Sequence, residues 1–162
     1  MPLVSASITA EIMDKFTKPN KTAAAVWPTV AKAYCNTYLQ AGMNAAPGGA
    51  CTGVPGVATL ATDLIEIHSS LSKSNAIVAP KVAKAFDAAL MTFISVYQNT
   101  IVTTAGVPQL INDLINAAAA PVSDPTKYPR ELAKALDVYT KSAIVSGIIP
   151  GSPPVPFTGP IT

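Results

Sequence analysis

Apolar residues step by three and four along most of this chain, so helices are the first expectation. Val4, Ile8, Ile12 and Phe16 recur every four residues and Pro19 follows, which predicts a first helix over Ser7 to Lys18. From Thr22 to Gly42, Trp27, Val30, Ala31, Tyr34, Cys35, Tyr38 and Leu39 keep helical spacing. Pro28 either sits in the first turn of that helix or kinks a longer one begun at Thr22; the kinked or restarted version is favoured. Gly42 to Gly56 is dense in glycine and proline and predicts a long loop, a candidate contact element. Val57, Leu60, Ala61, Leu64, His68 and Leu71 mark a third helix, ended by Leu71 to Asn75.

Val82, Phe86, Leu90, Phe93, Tyr97 and Ile101 predict a long fourth helix, its apolar arc widened by Met91, Ile94 and Val96. Gly106 and Pro108 separate it from a shorter fifth helix with Leu110, Ile111, Leu114 and Ile115, which runs into Ala117 to Ala120 and stops at Pro121. Leu132, Ala133, Leu136, Tyr139 and Ala143 line a sixth helix up to Gly147. No period-two strand pattern competes and no internal repeat of solenoid length stands out. The fold class expected is all-α: a bundle of five or six helices with a long Gly/Pro-rich loop and an extended Pro-rich C-terminal arm. The domain division that goes with it is 1–146 for the bundle and 147–162 for the arm.

Charge changes this picture. Only 12% of the 162 residues are Asp, Glu, Lys or Arg, against roughly 25% in an ordinary soluble domain. None falls between Lys32 and Asp63, none between Asp87 and Asp113, and none after Lys141. Such surface is easily desolvated, because burying an ion costs far more than burying a partnered hydroxyl or amide. Much of it therefore reads as contact surface. A net charge of +2 gives no strong pull on nucleic acid or anionic membrane, and Lys15, Lys18 and Lys21 read as a solvated helix end. The uncharged run Ala88 to Asn112 contains Gln98, Asn99, Gly106 and Pro108, which suits a buried helix and turn rather than a membrane span. No signal peptide is evident at the start, which implies synthesis in a cytoplasm.

No catalytic set assembles. His68 is the single histidine, and Asp63 and Glu66 in the same helix do not both share its face, so a partly buried, hydrogen-bonded imidazole is expected rather than a metal ligand. Cys35 and Cys51 lack a CxxC pair; they read as two reduced thiols, or alternatively as a bridge clipping the glycine-rich loop to a helix. The GxxxxG spacing of Gly48 to Gly53 lacks the lysine of a phosphate loop, and neither GxSxG nor GxGxxG occurs. Glu11 with Asp14, and Asp63 with Glu66, read as solvated helix faces. Trp27, Tyr34, Tyr38, Phe86, Phe93 and Tyr97 read as core. The expectation is no enzyme, no catalytic residue, no metal and no cofactor.

The WPxVAxAY segment at Trp27 to Tyr34, the PGGACTGVPG loop and the GSPPVPFTGPI ending resemble small structural virion proteins of tailed bacteriophages. That resemblance implies a capsid or tail component present in many copies, made in the host cytoplasm and carried in the virion. Its partners would be other copies of itself or other structural proteins of a large assembly, with no nucleic acid and no membrane. The composition points to the same kind of role, with interface candidates at Pro47, Val54, Pro55, Ile149, Pro153, Pro154, Val155, Phe157 and Ile161, and Phe157 as the anchor. A rival reading is a helical-bundle carrier that opens around an apolar small molecule.

Overall fold

The computed structural model describes residues 5–17, 22–42, 49–69, 74–119 and 124–162. The fold is mixed α/β, which corrects the all-α expectation: six α-helices are joined by two small antiparallel sheets. The helices are α1 (Ser5–Phe16), α2 (Ala23–Lys32), α3 (Val57–Ser69), α4 (Asn75–Leu90), α5 (Val107–Ala118) and α6 (Lys127–Lys141). A π-helical turn, Ala33–Tyr38, and a short 3-10 turn, Leu39–Ala41, prolong α2. The strands are β1 (Cys51–Gly53), β2 (Ile94–Ser95), β3 (Gln98–Thr103), β4 (Ile144–Ile149) and β5 (Val155–Pro160).

Three expectations change with the strands. The loop from Gly42 to Gly56 contains β1, the fourth helix stops at Leu90 rather than Ile101, and the sixth stops at Lys141 before β4. Pro28 lies inside a helix whose cap is Thr22, its hydroxyl accepting from the Ala25 amide at 3.3 Å, so the longer version of α2 is the one formed. The expected ends of the first, third and fifth helices at Lys18, Leu71 and Pro121 lie outside the described residues.

The helices fall into three pairs, and the sequence repeats with them. Val30-Ala-Lys-Ala-Tyr34, Val82-Ala-Lys-Ala-Phe86 and Leu132-Ala-Lys-Ala-Leu136 occupy the second helix of each pair, 52 and 50 residues apart. Ile8 and Ile12, Leu60 and Leu64, and Leu110 and Leu114 occupy the first helix at the same offsets. All of these apolar residues are buried, while Lys32, Lys84 and Lys134 are exposed. An internal repeat is therefore present where none was expected from the sequence. Each unit is a helix hairpin followed by a strand excursion. α1 packs against α6, so the three units close on one another.

The shared segment explains the packing. Small alanines between two large apolar residues let each second helix pack closely on the next first helix, α2 on α3, α4 on α5 and α6 on α1, and the lysine turns outward. Tyr34, Phe86 and Leu136 hold equivalent places and are fully buried, with the Tyr34 and Phe86 rings edge to face at 5.1 Å. Tyr34 shares a 2.8 Å hydrogen bond with the buried Thr140 hydroxyl, and Tyr38 donates to Asp137 Oδ1 at 2.5 Å. Side chains from all three second helices thus meet in one core.

Candidate interaction surface

The strands gather at the end of the molecule where each second helix stops and the next first helix begins. β1 pairs with β2, while β3, β4 and β5 form a three-stranded sheet in that order. Directly opposed residues of antiparallel strands share a face. Val145 lies between Val102 and Gly159, and the two valines are buried against the helices. One residue along, Ile144 lies between Thr103 and Pro160, and Ser146 between Ile101 and Thr158, on the opposite face. Ile101 is 62% exposed and Ile144 43%.

The strands carry no ion. No Asp, Glu, Lys or Arg occurs from Ala88 to Asn112 or after Lys141, so the whole three-stranded sheet is free of them. Among the described residues, every such side chain lies in a helix except Asp124, which precedes α6. Met91, Ile94, Val96, Ile101, Ile144 and Val155 are exposed at the strand end, and only Ile77 and Val138 are comparably exposed large apolar residues elsewhere among those described. Exposed apolar side chains clustered on surface without charge mark contact sites.

The sheet's free margin is unsuited to pairing. The Ile161 amide donates to the Ala143 carbonyl at 3.4 Å, so odd-numbered residues of β5 face β4 and even-numbered ones face outward. Two of those outward positions are Pro156 and Pro160, which have no N–H to offer. On the other margin, a bulge interrupts β3 between Gln98 and Ile101. The broad face, rather than an edge, is what the sheet presents.

The sequence-derived interface residues divide. Pro55, Pro153, Pro154 and Val155 are exposed, and Ile149 is half-buried in β4. Val54 and Ile161 belong to the protein's own core. Phe157 is half-buried, packed on Tyr97 at 5.1 Å and lying over Gly147, whose missing Cβ would come within 2.8 Å of the Phe157 ring and 2.9 Å of the Gln98 carbonyl. Within the chain it anchors the tail to β4 and to Tyr97. Pro47 lies outside the described residues. No family model, curated protein or solved structure matches the chain. The phage, virion, capsid and tail labels therefore find no support in these comparisons, and the helical-bundle label gives way to a mixed fold.

Sequence reasoning missed Ile101, Ile144, Ile94 and Val96 as surface residues, having placed all four on helices. The available signal was the density of β-branched residues in Thr100–Thr104 and Ile144–Ile149, which favours a pleated surface.

Other reactive groups are enclosed. Cys35 and Cys51 are buried free thiols; burial pushes the Cys35 thiol up to about 12 and also raises that of Cys51. Burial likewise raises the Tyr34, Tyr38 and Tyr139 hydroxyls above their ordinary range. His68 Nδ1–H donates to the Leu64 carbonyl at 2.8 Å, the ring stacks on Trp27 at 3.9 Å, and burial lowers its pKa below 6.5. Among the described residues no three metal-ligating side chains cluster, and no helix is long and apolar enough to cross a membrane.

Proposed function

We propose that this chain is a non-enzymatic structural component of an assembly, and that its strand end packs face-on against a neighbouring copy. One observation carries the reading: the three-stranded sheet has no charged side chain and holds Ile101 and Ile144 open to solvent. Desolvating such a face costs little, and covering it with a complementary surface gains hydrophobic free energy. The carrier reading is less well supported. The aromatic core is filled, and the space bounded by His68, Val78, Leu114 and Tyr128 is only about 20 Å³, far below the volume of a ligand pocket.

The test is sedimentation of the full chain and of an Ile101→Lys/Ile144→Lys double variant over a wide concentration range. The wild type is expected to self-associate and the variant to stay monomeric with an unchanged circular dichroism spectrum. A wild type that remains monomeric at millimolar concentration, or a variant that associates equally well, overturns the proposal.

A further inference from the structure

A different face carries an independent inference. In the middle helix pair, Asp63 and Glu66 of α3 face Lys81 and Lys84 of α4 across an open groove of about 340 Å³ floored by Ile67, Ala85 and Ala88. None of these four charged side chains enters an ion pair with a described residue.

The repeat shows that packing does not demand these charges. In the third pair Asn116 stands at the place of Glu66 and Glu131 at that of Lys81, while in the first pair Thr29 replaces Lys81 and Asp14 already contacts Lys15 at 3.5 Å. Only the middle pair presents two acids beside two lysines. A surface with an acidic row beside a basic row is complementary to itself under a two-fold rotation: the acidic row of one copy meets the basic row of the other. The groove floor adds apolar area, and the exposed Ile77 extends the same α4 stripe as Lys81, Lys84 and Ala88.

We infer that the α3–α4 face is a two-fold docking surface for a second copy of this chain, with Asp63 and Glu66 of each copy paired to Lys81 and Lys84 of the other. This contact is separate from the strand end and differs from it physically. Salt screens exposed ion pairs, whereas it does not weaken apolar burial. A chain with both contacts could extend an assembly through two faces of unlike chemistry.

Charge reversal with mixing tests the inference. One variant, Asp63→Lys/Glu66→Lys, makes the face wholly basic; the other, Lys81→Glu/Lys84→Glu, makes it wholly acidic. With one variant fluorescently labelled, anisotropy compares its binding to itself and to the opposite variant at low salt. The expected result is a preference of about tenfold or more for the opposite variant, lost at about 1 M salt. Because the two variants also move the net charge by four in opposite directions, a control pair with the same shifts placed on α5 and α6, Asp113→Lys/Glu131→Lys and Lys127→Glu/Lys134→Glu, is measured beside them, and a preference no larger than the control's overturns the inference. Equal binding in the two arms, or a preference that survives high salt, overturns the inference. Circular dichroism of each variant establishes that it is folded.

Discussion

Tyr139 donates its hydroxyl to Asp87 Oδ1, tying the third helix pair to the second. Tyr38 makes the corresponding bond to Asp137, tying the first pair to the third. In both cases the tyrosine belongs to the unit that follows its partner's around the closed ring. The third such link is missing because Ala89 occupies the tyrosine position of the second unit. Asp87 also accepts from Thr104 at 2.6 Å, and Asp137 faces Lys141 at 2.9 Å. Replacing Tyr139 by Phe keeps the ring and removes one bond to a carboxyl group. The expected loss of stability is about 1–3 kcal/mol, read from the urea midpoint at unchanged slope.

Gly56 and Gly106 open α3 and α5 at matching places in the repeat. A Cβ on Gly56 would lie 2.9 Å from Thr92 Oγ1 and 3.1 Å from the Ala89 Cα; on Gly106 it would press on Ser142 Oγ and lie 3.2 Å from the Tyr139 ring. Gly56→Ala and Gly106→Ala should each destabilise by about 1–3 kcal/mol in chemical denaturation. Ser142→Ala should recover much of the Gly106→Ala loss, since a side-chain oxygen is the main obstacle. Thr92→Ala should recover less at Gly56, where backbone also blocks the space.

His68 makes stability depend on pH. Burial holds its folded pKa below the ordinary 6.5, so between those two values the unfolded chain binds the proton more readily. Its neutral form contributes stability that is fully present above about 6.5 and declines as pH falls from there toward the lowered folded value. Melting temperatures taken across that window should fall for the wild type, and a His68→Gln variant should show a shallower slope.

Cys35 and Cys51 should resist modification. With both thiols buried and that of Cys35 raised to about 12, little thiolate exists near neutral pH. An aromatic disulfide reagent at about pH 8 should leave both unreacted in the native protein and modify both once denaturant unfolds it.

The helices were readable because each buries a stripe at a helical period. Ile8 with Ile12, Leu60 with Leu64, and Leu132 with Leu136 all sit in the core. The strands were hidden by accident of spacing. Phe93, Tyr97 and Ile101 fall four apart and mimic a continued helix, yet the chain turns at Met91 and Thr92, and Phe93 alone of the three enters the core. Strands of two to six residues leave little room for alternation to register. The charge gaps pointed to contact surface on the Gly42–Gly56 loop and the tail, not on a sheet face. The sheet face needs Ile101 beside Ser146, a neighbourhood created only when β3 and β4 pair.

A chain whose thirds resemble one another faces a folding hazard: any hairpin could settle into the place of its sibling. The π-helical turn at Ala33–Tyr38 distinguishes the first unit, since one surplus residue there offsets Tyr38 and Leu39 from the frame set by Val30 to Tyr34. Neither α4 nor α6 carries such a turn. The irregular winding thus marks the first hairpin off from its two siblings, giving its last turn a register that they do not share.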